Sequence, residues 1–367
     1  MPYEQYGLPP YPCTLDMWDS LSRESRPIVV YGMGNGADKL FSRFEKYGIT
    51  VAEVFASDGF VRGHSYRGYK VKSLSEIREK YDDFVIVLSF ASNREEVLFM
   101  LAELDFRYDM YVPDMPVAGA EEYFDREFYN ANYAKIVRAY NALCDEESRN
   151  CFAAVVNYKL TGKMKYLMSS FSEKNEIYEL INKKKILCAI DAGAYRGDTA
   201  KEMAEYISGI KKVYALEPDG KNFRKLESYS EAEKRIEVVP INAAAWCENA
   251  EGSFNSSGNR NSTVNATASF EHKLDSISLV TLDSLDTGKI DYVKYDVEGA
   301  EYEALLGSDL KIREYSPVLL VSLYHRSRDL FFLTNYLSGK YPGYDFYLRR
   351  EKCLPAWEIN LIMIPKG

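Results

Sequence analysis

The residues Asp191-Ala192-Gly193-Ala194-Tyr195-Arg196-Gly197 follow an apolar run and precede a segment of helical spacing. The pattern is D-x-G-x-x-x-G. A strand that turns sharply into a helix, with a ligand lying against its backbone, needs residues without a Cβ at the turn. Asp198-Thr199 then offer a cap for that helix. Glu217 lies 20 residues beyond Gly197, at the end of the run Val213–Leu216. In open α/β folds an acidic side chain at that place accepts hydrogen bonds from ribose hydroxyls. A glycine turn alone is common, and Glu217 alone reads equally as a solvated carboxylate. Together, at this spacing, they point to a ribosylated ligand. A dinucleotide turn wants G-x-G-x-x-G or G-x-G-x-x-A, with a pyrophosphate on the helix N-terminus. A carboxylate repels a pyrophosphate but suits S-adenosylmethionine, which carries a sulfonium and an ammonium group.

The elements that must position these residues alternate in type. Ile186–Ile190, Val213–Leu216, Ile236–Val239, Tyr292–Tyr295 and Val318–Leu323 read as strands, with helical segments between them. Tyr344–Leu348 and Asn360–Ile364 read as a terminal pair. The expected fold is α/β, a Rossmann-like and mostly parallel sheet with an antiparallel terminal strand. Upstream, residues 1–25 form an arm and residues 26–118 a smaller Rossmann-like α/β domain. There Ile28–Tyr31, Val51–Phe55 and Phe84–Ser89 are strands, Lys39–Tyr47 is a helix, and Ser92-Asn93-Arg94-Glu95 is a capping box for the next helix. Between 119 and 185 the strand signal vanishes. Ile136, Val137, Tyr140 and Leu143 share one helical face, and Thr161-Gly162 breaks this helical connector. Residues 186–367 make the second α/β domain.

Composition narrows the partners. The 367 residues carry a formal charge of −9, from 46 basic and 55 acidic side chains. No basic run reverses this, so nucleic acid is a disfavoured partner. No apolar run approaches the roughly 18 residues of a membrane span. Met1–Cys13 lack a basic segment followed by an apolar one, so no secretory leader is expected. Six cysteines without a CxxC pair suit reduced thiols in the cytoplasm. The 30 tyrosines read mainly as packing residues.

In the N-terminal domain Gly32, Gly34 and Ala37 fit G-x-G-x-x-A after a strand, and Asp58 sits late for a ribose ligand. This allows NAD or a nucleotide-sugar there; the plainer reading is a tight turn without ligand.

The C-terminal part resembles the FkbM-type methyltransferases, which mostly methylate sugar or polyketide hydroxyls. The likeness runs from about Asp145 to Lys366. It includes Asp145-Glu146-Glu147-Ser148-Arg149, Tyr158-Lys159-Leu160-Thr161-Gly162, Ala215-Leu216-Glu217-Pro218-Asp219, Asn242-Ala243-Ala244-Ala245 and Val280–Leu285. Lys294-Tyr295-Asp296-Val297-Glu298-Gly299-Ala300-Glu301 is similar to the family's K-x-D-[IV]-E-G-x-E signature. Ser322-Leu323-Tyr324-His325 and Phe346-Tyr347-Leu348-Arg349 complete it, with Arg350 where many relatives carry His. The resemblance implies that Asp191, Gly193 and Gly197 cradle the methionine part, that Glu217 holds the ribose, and that residues near Asn242 and Ala243 flank the adenine. It implies that Asp296 faces the methyl group, and it adds Ala194, Tyr195, Thr199 and Pro218 to the cofactor-binding set.

Methyl transfer is an in-line displacement at carbon, and a hydroxyl acceptor must also lose its proton. A positioned base contributes about 10²–10⁴-fold. The candidates are Asp296, Glu298, Glu301 and His325. Glu298 and Glu301 are three apart and can share a helical face. Clustered carboxylates raise one pKa or bind a divalent cation; equally, either caps the following helix. Lys294 reads as the partner of one of these acids. His325, at a strand end, is a natural base or a structural histidine. The expectation is an S-adenosylmethionine-dependent O-methyltransferase acting on a sugar, glycan or other small hydroxylated acceptor, cytoplasmic, with a homodimer among the assemblies this reading allows. The alternatives are a silent methyltransferase-like binding protein, or an NAD-dependent oxidoreductase working through the N-terminal domain.

Overall fold

Four short apolar strands build the N-terminal unit of the computed structural model, which describes residues 5–57, 59, 61, 63–118, 122–254, 264–265 and 275–367. They are β1 (Ile28–Tyr31), β2 (Val51–Phe55), β3 (Val85–Leu88) and β4 (Asp109–Tyr111), all parallel in the order β2-β1-β3-β4. Every residue of β1 and β3 is buried, as expected of parallel strands covered on both faces. Helix α1 (Asn35–Tyr47) follows β1, and α2 (Glu95–Arg107) follows β3. The capping box expected at Ser92–Glu95 does not form. Arg94 holds the N-cap position without a side-chain bond, and Ser92 instead pairs its backbone with Leu354, far away in the sequence. Asp58 lies outside the described residues.

The connector is helical, as its periodicity predicts: α3 (Arg126–Ala142), α4 (Glu146–Thr161) and α5 (Lys174–Ile181) are its main elements. Gly162 ends α4 in the left-handed conformation, at φ +65°. Helix α4 is buried nearly all round and lies between the two sheets. One continuous core joins Val29 and Ile86 of the first sheet, Phe152 and Val156 of α4, and Leu319 and Leu348 of the second. Asp145 caps α4 by accepting from Ser148 N at 2.8 Å, and it also pairs with Arg349 at 2.7 Å. The two ends of the C-terminal half are thereby tied together.

The second sheet has seven strands: β5 (Cys188–Ala192), β6 (Lys212–Leu216), β7 (Glu237–Ile241), β8 (Tyr292–Tyr295), β9 (Val318–Ser322), β10 (Tyr344–Arg350) and β11 (Ile359–Pro365). Their order is β10-β11-β9-β8-β5-β6-β7. Strand β11, last in the chain, runs opposite to the other six, and it lies inside the sheet rather than at its edge. Strand β5 starts later than its apolar pattern suggests. The Asp291 carboxylate accepts from the backbone N–H groups of Leu187 and Cys188, and pairing with β6 and β8 takes over from there. Asp191 therefore lies within the strand.

From β5 the chain adds β6 and β7 on one side, then returns to place β8 on the other. This is a topological switch point, where ligands of open α/β sheets bind beyond the strands' carboxyl ends. Of residues 255–269, only 264–265 are among the described residues. No helix among the described residues is long and apolar enough to cross a membrane.

Candidate active site

The turn after β5 is built by close approach. Gly193 has φ +98°, and a Cβ there would stand 1.9 Å from the Asp296 carbonyl oxygen. The loops after β5 and β8 thus touch across the switch point, and only glycine allows it. Gly193 N and Ala194 N both donate to Leu216 O, at 3.1 and 2.8 Å. Gly197, at φ +93°, would place a Cβ 2.4 Å from the Tyr229 ring, so it serves packing against α7 (Gly220–Ala232) rather than a ligand. Gly197 is itself the N-cap of α6 (Asp198–Tyr206). Asp198 and Thr199 are its first residues and not its cap, which corrects the sequence reading.

Glu217 is buried at the end of β6. Its Oε2 accepts from Tyr195 N at 2.9 Å and its Oε1 from Asp219 N at 2.8 Å. Burial outweighs these bonds and pushes its pKa up to about 7. Two corrections apply to its neighbours. Asn242 does not line the cavity; its Nδ2 donates to Glu217 O at 2.8 Å and so braces the loop, while Ala243, Ala244 and Ala245 form the wall. Asp191 lies within β5 opposite Lys294 of β8, with no exposure, and neither carboxylate oxygen has a hydrogen-bond partner. Burial raises it to about 6, opposed by the Lys294 charge.

The signature after β8 forms a charged centre. Lys294 Nζ donates to Asp296 Oδ2 at 3.0 Å and to Thr199 Oγ1 at 3.2 Å. Tyr324 OH donates to Asp296 Oδ1 at 2.9 Å. Burial works against the Asp296 charge, but Lys294 and His325 hold its pKa down to about 2. Glu298 stands at φ +54° and lines the cavity. Glu301 is buried, and its Oε1 accepts from Val297 N at 2.9 Å, so it closes the loop as a cap.

His325 departs from the expectation of a base. It has no exposure and lies behind Asp296 and Glu298, off the cavity wall. Its Nδ1 is 2.9 Å from Glu301 Oε1, and its Nε2 is 3.5 Å from Glu298 and 3.6 Å from Asp296. Burial alone would lower its pKa, yet Glu301, Glu298 and Asp296 raise it to about 10. At neutral pH it is a buried cation among three carboxylates, with no lone pair available for a proton.

These elements enclose a cavity of about 440 Å³, within the range of small-molecule sites. Of the residues expected at the cofactor, Gly193, Tyr195, Thr199, Glu217, Pro218, Ala243 and Asp296 line it. The wall also includes Tyr324, Lys174, Glu351, Lys352, Glu358 and, from the N-terminal unit, Asn93. Tyr324 stands next to His325 in the Ser322–His325 motif, so the sequence carried a signal for it. Asn93 carries no local signal, because only the docking of the two units brings it there. Among the described residues no group of three or more His, Cys, Asp or Glu is arranged to hold a metal ion.

The glycines of the N-terminal turn have a different explanation. A Cβ at Gly32 would stand 2.6 Å from Ser89 Oγ, and one at Gly36 2.1 Å from Ser89 O. The turn is packed against the end of β3, which accounts for Gly32 and Gly36 without a ligand, while an added Cβ at Gly34 would meet nothing within 4 Å. Nothing further supports the NAD or nucleotide-sugar that the sequence allowed at Gly32 and Gly34, and the plainer reading of a tight turn suffices.

Residues 191–346 match the family model of the methyltransferase FkbM domain. Among solved structures the chain is similar to methyltransferase FkbM of Methylobacillus flagellatus KT. That match has 19% identity and a TM-score of 0.70, over 98% of this chain and 94% of that one. The likeness establishes a shared fold across both units. Partial matches include a putative methyltransferase of Streptococcus mutans in complex with SAH, at 15% identity and TM-score 0.34, over 54% of this chain and 99% of that one. Aeropyrum pernix fibrillarin with natively bound S-adenosyl-L-methionine matches at 15% identity and TM-score 0.32, over 50% and 68%. No curated protein matches the chain.

Proposed function

We propose that this chain, which carries a methyltransferase FkbM domain over residues 191–346, binds S-adenosylmethionine in the switch-point cavity and methylates a hydroxyl of a sugar, glycan or other small acceptor. The observation that carries the reading is the contact of Gly193 with the Asp296 carbonyl, flanked by Glu217. It makes one continuous cradle from the end of β6 to the end of β8. The residues fit the cofactor. An ionised carboxylate has about four lone-pair sites, so Glu217 can take ribose hydroxyls beside its two amides. The excess of carboxylates suits a sulfonium and an ammonium group.

When bound, S-adenosylmethionine supplies the electrophilic methyl group. The chain supplies approach and charge. Ala243 and Pro218 flank the adenine, and Gly193, Tyr195 and Thr199 surround the methionine part. Asp296, kept ionised by Lys294 and His325, orients the acceptor hydroxyl together with Tyr324. Asp296 itself is too acidic to take the proton efficiently. Glu298 is the cavity-facing carboxylate left for that role, and His325 and Glu301 hold the loop that presents it.

Calorimetric titration with S-adenosylmethionine and S-adenosylhomocysteine tests the first step. Methyl-tritiated cofactor with a panel of hydroxylated acceptors tests the second. Glu298→Gln should lower turnover by about 10²–10⁴-fold and leave cofactor affinity nearly unchanged. An absence of binding at millimolar cofactor would overturn the reading in favour of a silent binding protein.

A further inference from the structure

The N-terminal unit reaches the cavity through one short contact. Ser92 N donates to Leu354 O at 2.8 Å, and Leu354 N donates to Ser92 O at 2.9 Å. This isolated antiparallel bridge brings the next residue, Asn93, beside the segment between β10 and β11. Asn93, Glu351, Lys352 and Glu358 share one end of the cavity. That end lies over β9 and β11, on the far side of Asp296 from Glu217 and Ala243. A cofactor stretched from β7 to β8 leaves this end open to the acceptor.

The wall there is held firmly. The buried Arg350 guanidinium donates to Glu351 O at 2.9 Å, to Cys353 O at 3.1 Å, and to Leu167 O in the connector. The cavity's charge is lopsided, with eight Asp or Glu residues against three Lys. Two of the lysines are committed: Lys174 contacts Glu202 at 2.6 Å and Glu351 at 3.5 Å, and Lys294 contacts Asp296 at 3.0 Å. An incoming phosphate or carboxylate would meet a like-charged lining. An asparagine amide both donates and accepts, so it recognises uncharged hydroxyls.

We propose that Asn93 is an acceptor-positioning residue contributed by the N-terminal unit, and that this mouth admits acceptors without phosphate or carboxylate charge. The proposal rests on the methyltransferase reading only for which end is the mouth. The test is saturation-transfer NMR on the full chain loaded with S-adenosylhomocysteine. The probes are methyl glucopyranoside, methyl galactopyranoside, glucose 6-phosphate and galacturonate at millimolar concentration. Saturation should pass to the neutral glycosides and not to the two anions. Asn93→Trp, which fills the mouth, should weaken the glycoside signal about fivefold or more, with cofactor-product affinity held. Asn93→Lys should turn the preference toward glucose 6-phosphate, an outcome that a merely structural role for Asn93 would not produce. Three results overturn the proposal: no glycoside signal, anions bound as well as glycosides, or variants that match the wild type. If the wild type fails to bind S-adenosylhomocysteine yet shows an Asn93-dependent glycoside signal, the methyltransferase reading falls and the neutral-ligand mouth stands.

Discussion

Two strand–helix turns in this molecule look alike in sequence and differ in purpose. The turn after β1 has Gly32, Gly34 and Gly36; the turn after β5 has Gly193 and Gly197. Each follows a buried parallel strand, and each has a glycine at positive φ. In the first turn Gly32 and Gly36 make room for Ser89 and Phe90 at the neighbouring strand's end. In the second, Gly193 makes room for the Asp296 carbonyl, and a carboxylate waits at the end of the next strand. The glycines therefore report close approach in both places. What distinguishes a ligand site is the set of polar groups brought to the same sheet edge.

The sharpest way to break this comparison is a pair of alanines. Gly193→Ala should abolish measurable S-adenosylmethionine binding, because its Cβ collides with Asp296 O at a backbone angle that alanine resists. Gly34→Ala, with φ −142° and nothing within 4 Å of its Cβ, should leave binding unchanged. Calorimetry on both variants decides it; a silent Gly193→Ala would remove the turn from the site.

The second prediction concerns what backs the C-terminal turn. His325→Gln should destabilise the fold by about 3–5 kcal/mol at pH 6, because three acids lose their buried cation. The sign follows from the raised pKa. The stabilisation from His325 is complete below its ordinary value of 6.5 and is lost as pH rises through about 10. The gap between wild type and variant in denaturant unfolding should therefore narrow between pH 6.5 and 10. A gap independent of pH would show that His325 is neutral in the fold.

The smallest effect tests Glu217, for which the N-terminal turn has no described counterpart. Glu217→Gln should weaken cofactor binding about 10–100-fold, the cost of a hydrogen bond to a charged group. Burial sets Glu217 near pH 7, and ribose hydroxyl donors favour its ionised form. Wild-type affinity should accordingly rise from pH 5 to pH 8, and that slope should vanish in the variant. An equal slope in both would place the titrating group elsewhere.

The strands, the D-x-G-x-x-x-G turn and the acidic end of β6 were legible in the sequence because period and local spacing encode them. Glu217 and Gly193 stand where that spacing places them. The roles of Asp191, Asn242 and His325 were not legible, because each depends on what lies behind or beside it in three dimensions. Asp191 was read as a ligand contact, yet pairing with β6 and β8 draws it into the strand. His325 was read as a base on its intrinsic pKa, which three carboxylates from another loop override.

By itself, then, the sequence determined the α/β alternation, the helical connector and the carboxylate at the end of β6, all of which arise within about 30 residues of one another. The tertiary structure alone decided which acids face the cavity, which cation neutralises them, and that Asn93 of the first unit joins the wall of the second. Those are long-range matters. Charge and burial act through space, and residues 92 and 354 become neighbours only when the two sheets close on α4.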